Sequence, residues 1–110
     1  MILIFSKYLV PNGFRSITLF PFVLVKCKDE KKNIILINHE KIHLQQQIEL
    51  FILPFFIWYA LEFLINLIRF KNSNQAYLNI SFEREAYFNE NNLSYLSNRS
   101  LWAFMKFLTK

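Results

Sequence analysis

An apolar segment at residues 50–70 restricts the fold of this chain more than any other feature. Residues 50–61 carry no charged side chain, and only further on do Glu62 and Asn66 interrupt the apolar character. A membrane-spanning helix needs about 20 predominantly apolar residues, so the segment nearly qualifies by length. Polar groups such as these are costly inside a bilayer. We therefore expect a buried helix hairpin around Pro54 that leaves surplus apolar surface.

Surplus apolar surface has to be covered by something other than water. It predicts either a monotopic membrane contact or a homodimer through residues 50–70. The apolar start of the chain, residues 1–5, lacks the charged region and the small-residue cleavage site of a signal peptide. We therefore expect a protein that is not secreted and that lies in the cytoplasm or at the periphery of a membrane.

The composition indicates a single globular domain over residues 1–110. Apolar residues make up 54% of the chain and charged residues 19%, which excludes a disordered chain and a highly charged coiled coil. The lone cysteine, Cys27, cannot close an intramolecular disulfide. The net charge of +5 is spread along the chain, and its one basic cluster, at residues 26–32, is interrupted by Asp29 and Glu30. Because no nucleic-acid-binding motif accompanies this charge, no nucleic-acid partner is expected.

The order of extended and helical segments predicts an α+β fold. Residues 2–8 and 16–27 are predicted as two strands of a β-hairpin, with a Pro-Asn-Gly turn at residues 11–13 between them. Pro21 cannot donate a ladder hydrogen bond, so the second strand should lie at a sheet edge or carry a bulge. Three or four helices should follow, at residues 34–53, 55–70, 75–90 and about 100–108.

Both histidines of the chain fall in one pentapeptide, His39-Glu40-Lys41-Ile42-His43. This is the H-E-x-x-H pattern of zinc metalloproteases. Residues i and i+4 share a helix face about 6 Å apart, so His39 and His43 can direct ring nitrogens at one metal ion. Glu40 is rotated by about 100°, from where it can reach a water at the metal without binding the metal itself. The pentapeptide therefore predicts a zinc site with Glu40 as general base.

A catalytic zinc site needs a third protein ligand and an open fourth position. Since the chain has no other histidine, carboxylates are the candidates, and the helix predicted at residues 75–90 carries Glu83 and Glu85. The two lie about 200° apart around a helix, so at most one of them can face the metal. Spacing alone does not choose between them.

Residues 35–87 resemble the gluzincin metallopeptidases, in particular the single-domain minigluzincins, whose core is similar to that of the CAAX-processing and heat-shock membrane metallopeptidases. In this group a second helix carries the pattern E-x-x-A, and its first Glu is the third zinc ligand. The pattern falls on Glu83-Arg84-Glu85-Ala86. The resemblance thus implies a small zincin-like domain with Glu83 as the ligand. The group commonly has Asp next, and Tyr87 in that place is expected to orient a ligand or contact an oxyanion.

The resemblance also implies a substrate and a reaction. In such folds a strand beside the site pairs with an extended peptide, and the residues given this role are Ile17, Leu19, Val23 and Val25. The alternative for this strand is an ordinary core position. Glu40 would take a proton from the attacking water and pass it to the leaving amine, which gives zinc-dependent hydrolysis of a peptide or protein substrate. The competing hypothesis is a non-catalytic membrane-associated scaffold or dimerising helical protein with a vestigial or structural metal site.

The zinc site and a membrane span at residues 51–70 exclude each other within one chain. A span would put His43 and Glu83 on opposite sides of the bilayer, because residues 71–82 are too few and too polar to cross back. Zinc–ligand bonds of about 2 Å do not allow that separation. Both ends of the segment are therefore expected on the same side of any membrane.

Overall fold

A small sheet at the amino terminus, followed by helices, confirms the predicted α+β class. The structure, a computed structural model, describes residues 1–11 and 13–108. The sheet has three strands in the order β1-β3-β2, and these are β1 Ile2–Phe5, β2 Ser16–Leu19 and β3 Phe22–Val25. The central strand β3 pairs parallel with β1 and antiparallel with β2.

Five α-helices follow within the described residues, together with two 3₁₀ turns. The helices are α1 Ile34–Glu49, α2 Leu53–Phe70, α3 Ser73–Leu78, α4 Ser81–Asn89 and α5 Tyr95–Asn98. The 3₁₀ turns are Lys28–Lys32 before α1 and Ala103–Phe107 after α5. The region predicted as one helix at residues 75–90 is thus divided between α3 and α4, and the predicted last helix is a 3₁₀ turn.

The region predicted as one strand at residues 16–27 is two strands joined by a tight turn at Phe20-Pro21. The chain reverses at Pro21, so the hairpin is formed by β2 and β3, and β1, predicted as one of the hairpin strands, pairs parallel with β3 instead. Val23 and Val25 consequently lie on the central strand, have strand neighbours on both sides and are fully buried. The substrate-pairing role predicted for these two valines is therefore wrong.

The boundary between α1 and α2 lies a few residues earlier than predicted. The side chain of Asn33 caps α1 by accepting a hydrogen bond from the backbone N–H of Leu36 (3.1 Å). The helix ends at Glu49, and the left-handed backbone of Phe51 and Ile52 turns the chain. Pro54 lies in the first turn of α2, where its missing N–H leaves no hydrogen bond unmade.

The main core forms where α2, α4 and the carboxy-terminal 3₁₀ turn meet. Its buried members are Phe55, Ile80, Phe82 and Phe104, and the half-buried residues packed on them are Leu50, Phe56, Trp58, Tyr59 and Phe63. Most aromatic side chains of the apolar segment thus face the protein, whereas Phe51 and Phe70 are exposed. By length and composition α2 is the one described helix that could cross a membrane, with a mean hydropathy of 1.5 and only 11% of its residues buried.

Candidate metal centre

The helix α1 brings the two histidines and Glu40 together at its buried face. His39 and His43 are one helical turn apart, and their Nε2 atoms lie 3.2 Å from each other. All three side chains are about 95% buried. Their ligand atoms lie within 4.8 Å of one another, so this buried group could hold a metal ion.

The helix α4 places the carboxylate of Glu83 beside the two histidine rings. Oε1 of Glu83 lies 3.3 Å from Nε2 of His39 and 3.1 Å from Nε2 of His43. A tetrahedral zinc ion with bonds of about 2.0–2.1 Å spaces its ligand atoms about 3.3–3.4 Å apart. The triangle of two nitrogens and one oxygen therefore has the size of one face of a zinc coordination tetrahedron.

Hydrogen bonds on the far side of each imidazole fix the ring tautomers. Nδ1 of His39 donates to Oε1 of Glu90 (2.8 Å), and Nδ1 of His43 donates to Oε1 of Gln46 (2.8 Å). Asn38 holds the end of α4 in place through its amide, which donates to the backbone carbonyl of Glu90 (2.8 Å). In the neutral rings both Nε2 atoms then carry lone pairs directed at the Glu83 oxygen. Three acceptors this close repel one another unless a cation lies between them.

The electrostatics of the cluster agree with this need for positive charge. Burial disfavours the charged form of His43, but the Glu83 carboxylate outweighs burial and raises the pKa of His43 to about 9. Burial alone would raise the pKa of Glu83, yet His43 and His39 hold that pKa well below its usual range. A proton on His43 and a divalent cation are thus alternative ways to neutralise the same site.

Glu40 is held beside the triangle without completing it. Its Oε1 accepts a hydrogen bond from Oγ1 of Thr18 (2.5 Å), and its Oε2 lies 3.8 Å from Nε2 of His39. Thr18 is on the edge strand β2, which Gln47 ties to α1 by accepting from the Phe20 N–H and donating to the Thr18 carbonyl, both at 2.7 Å. The edge strand therefore orients Glu40.

Tyrosine hydroxyls surround the Glu83 carboxylate. Tyr59 donates to its Oε2 (2.7 Å) and Tyr77 to its Oε1 (3.3 Å). Burial and the nearby Glu83 charge raise the pKa of both tyrosines, which keeps them protonated as donors. Tyr87 packs edge-to-face on the His39 ring, with centroids 4.5 Å apart, and its hydroxyl lies 3.1 Å from that of Tyr77. The two roles predicted for Tyr87, to orient a ligand or to contact an oxyanion, stay predictions.

Glu85 points away from the histidines into a separate buried network. Its carboxylate pairs with Arg99, which also pairs with Glu49, and it accepts hydrogen bonds from Tyr95 (2.6 Å) and from Nε2 of Gln46 (2.9 Å). Gln46 therefore connects this network to the Nδ1 atom of His43. Of the two carboxylates that the sequence left as alternatives, Glu83 lies at the histidine pair and Glu85 does not.

The buried network should contribute strongly to stability. Replacing Arg99 with Leu leaves Glu85 and Glu49, whose side chains are at most 2% exposed, without their counter-ion. Breaking a buried ion pair on one side costs about 3–5 kcal/mol, so we expect the free energy of unfolding in urea to fall by about that amount. Arg69→Leu, at an exposed position, is the control and should change it little. A loss below about 1 kcal/mol for Arg99→Leu would contradict this assignment.

Glu40 lines two cavities. The larger, of about 1050 Å³, is lined by His39 and Glu40, and the smaller, of about 350 Å³, by Glu40, His43 and Glu83. Ile17 and Leu19 line the smaller cavity from the edge strand. Cys27, in contrast, is exposed at the start of the first 3₁₀ turn.

Several residues of the site were not identified from the sequence. Thr18, Tyr59 and Tyr77 contact it only through the tertiary fold, and no local pattern marks them. Glu90 is different, because it follows Glu83 by seven residues, which on a helix is two turns along the same face. That spacing is the signal that could have identified it.

Comparison with known proteins adds no further assignment. No protein-family model, no curated protein and no solved structure matches this chain.

Proposed function

We propose that this protein is a minimal zinc metallopeptidase of the gluzincin type that hydrolyses peptide bonds. The observation that carries the proposal is the triangle formed by Nε2 of His39, Nε2 of His43 and Oε1 of Glu83, with edges of 3.1–3.3 Å. The arrangement joins the H-E-x-x-H helix to a carboxylate on a second helix, in the pattern E-x-x-A. Two histidines and one carboxylate with an open fourth position are the donor set of a catalytic zinc site.

Glu40 supplies the acid–base chemistry in this proposal. Zinc held by the three ligands would polarise both the attacking water and the scissile carbonyl. Thr18 occupies Oε1 of Glu40, which leaves Oε2 on the side of His39 to accept the proton of that water. Glu40 then delivers the proton to the leaving amine. Tyr59 and Tyr77 keep Glu83 in place and ionised while this happens.

An extended peptide is the substrate that suits the surroundings of Glu40. Strand β2 is an edge strand with no strand partner on its outer side in the described sheet, although Gln47 hydrogen-bonds to the Thr18 carbonyl and to the adjacent Phe20 N–H. Ile17 and Leu19 lie on this strand and line the cavity that also contains His43. A substrate strand added here would be fixed by backbone hydrogen bonds, as in other cases of β-augmentation. This supports the predicted role of these two residues.

A structural metal site is the second candidate, because Glu40 is close enough to count among the ligands. In that case His39, Glu40 and His43 would bind the metal together, as their 4.8 Å grouping allows. A site closed by Glu83 as the fourth ligand would leave no position for water or substrate. The protein would then be the non-catalytic scaffold that the sequence also allowed.

The proposal is tested by adding and removing the metal. Purified protein loaded with zinc should cleave an unstructured substrate such as casein, and 1,10-phenanthroline should abolish the cleavage. Zinc added back after removal of the chelator should restore it, because the ligands are provided by the folded chain. Cleavage that persists without metal would contradict the proposal. Stoichiometric zinc without any cleavage would favour the structural site.

A further inference from the structure

The helix α2 exposes a continuous apolar face along its whole length. Six large side chains on this face are each between 54% and 76% exposed, namely Leu53, Ile57, Leu61, Leu64, Ile65 and Ile68. Together with the exposed Ala60 they define the α2 outer face. No described residue with a charged or hydrogen-bonding side chain lies within it.

Three polar side chains of α2 point away from this outer face. Tyr59 donates to Glu83, Glu62 accepts hydrogen bonds from the backbone and hydroxyl of Ser81 (2.8 and 2.6 Å), and Asn66 donates to the Ala76 carbonyl (3.2 Å). A surface helix of a soluble protein has its polar residues outside and its apolar residues inside. In α2 the outer face is apolar as well as the inner one, and these three polar groups lie on the inner side, which indicates that the outer face is covered by an apolar medium or partner.

The width of the face favours a lipid surface over a second copy of the chain. At 100° per residue, the outer face spans about 140° around the helix axis. Pairing of two α2 helices would bury a narrow seam with spacings of four, three and four residues, at Ile57, Leu61, Leu64 and Ile68. Leu53 and Ile65, on the two flanks, would stay in water, and these flanks lack the charged residues that usually border such a seam.

The charged residues at the end of α2 also favour a lipid surface. Arg69 and Lys71 are exposed where α2 ends, and the whole chain carries a net charge of +5. At the other end of the helix lie the exposed side chains of Phe51 and Trp102, and Trp102 donates from its indole to the Glu49 carbonyl (3.5 Å). Basic residues and tryptophan beside an apolar helix face are typical of helices that lie in the interface of an anionic membrane.

We propose that the α2 outer face docks this protein onto the surface of an anionic phospholipid bilayer, with α2 lying in the plane of the interface. The contacts of α2 with Glu83, Ser81 and Ala76 run along the helix and hold α3 and α4 beside it. If α2 spanned the bilayer, these polar helices would lie at the same membrane depth, which is unfavourable. Docking through this face does not depend on the metal site, so it stands or falls separately from the proposed hydrolysis.

Vesicle binding of the full chain tests the docking. We expect the protein to sediment with phosphatidylcholine vesicles that contain phosphatidylglycerol, and less with phosphatidylcholine alone or at high salt. Leu61→Gln with Ile65→Gln removes two apolar side chains from the face without changing charge, and should weaken binding at least tenfold. Tyr8→Gln with Leu9→Gln is the matched control, since both side chains are highly exposed but follow β1, and should bind as the unchanged protein does.

The alternatives give different results. Ile68→Gln, at the most exposed position of the face, serves as a second variant if circular dichroism shows that the double variant does not fold. Unchanged vesicle binding in a folded outer-face variant would overturn the proposal. The protein could instead fail to bind vesicles and sediment as a dimer. If substitutions in the outer face then convert the dimer to a monomer, a second copy of the chain covers this face.

Discussion

Glu40→Gln should retain a full complement of zinc and lower the rate of peptide hydrolysis by about 10²–10⁴-fold, the range that a general base contributes. Gln has nearly the same size as Glu, and its amide oxygen can still accept the hydrogen bond from Thr18. The side chain would therefore keep its position, while losing the ability to accept a proton from water. Zinc content by mass spectrometry of the native protein and the hydrolysis rate should be measured on the same preparation.

The control for this variant is Asp29→Asn, which also removes one negative charge but lies at an exposed position in the first 3₁₀ turn. It should leave both zinc content and rate unchanged. Loss of zinc from Glu40→Gln would mean that Glu40 is a ligand, and the structural site would then be the better hypothesis. Full activity in Glu40→Gln would exclude Glu40 as the base.

The local part of the site could be predicted from the sequence because its geometry is that of a single helix. The spacing of His39 and His43 fixes their common face wherever the helix lies in the fold. The cap at Asn33 is equally local, since it depends only on that residue and the next three. The sequence did not show which other element of the fold packs against this helix face.

The choice between Glu83 and Glu85 shows where local reasoning ends. Helical periodicity places the two carboxylates on different faces, but it does not say which face meets α1. In the structure that is decided by Arg99, which comes from the carboxy-terminal segment and pairs with Glu85. An ion pair with a residue outside α4 cannot be predicted from the spacing of residues within α4.

The sheet was misread at one point because a turn and a strand have similar composition here. The β-branched and aromatic residues on both sides of Pro21 favour strands equally, so the segment resembles a single strand with an interruption. Pairing in register from Ser16 opposite Val25 to Leu19 opposite Phe22 brings the two halves together instead. Of the two halves, only the one that contains Ile17 and Leu19 lies at an edge of the sheet, where the proposed function needs a substrate strand to pair.

The composition of residues 50–70 predicts more apolar surface than the core can bury. It does not predict which side of the helix exposes that surface. Most aromatic residues of α2 pack into the core with Phe82 and Phe104, and Phe70 is exposed at the end of the helix. The aliphatic residues remain outside, because the inner face is already occupied by the groups that reach α3 and α4. Glu62 and Asn66, interpreted in the sequence as evidence against a membrane span, are the residues that attach α2 to α4 and α3.

Removing any one of the three proposed ligands should abolish stoichiometric zinc binding. Each of His39→Ala, His43→Ala and Glu83→Ala takes away one corner of a triangle whose edges match a zinc tetrahedron. We expect an affinity loss of more than about 100-fold in competition with a fluorescent chelator, which exceeds the 10–100-fold loss typical of residues that only support a ligand.

Glu85→Ala is the decisive comparison for this series, because Glu85 and Glu83 are buried glutamates on the same helix. Its loss disrupts the pairing with Arg99 and should lower the unfolding temperature, yet zinc should still bind, weakened by at most about 10–100-fold through Gln46 and His43. Glu85→Ala should therefore lose more stability than Glu83→Ala, and Glu83→Ala should lose more zinc affinity than Glu85→Ala. Equal zinc affinities in Glu83→Ala and Glu85→Ala would contradict the assignment of Glu83 as a ligand. If both histidine variants kept their zinc, the metal site itself would be contradicted.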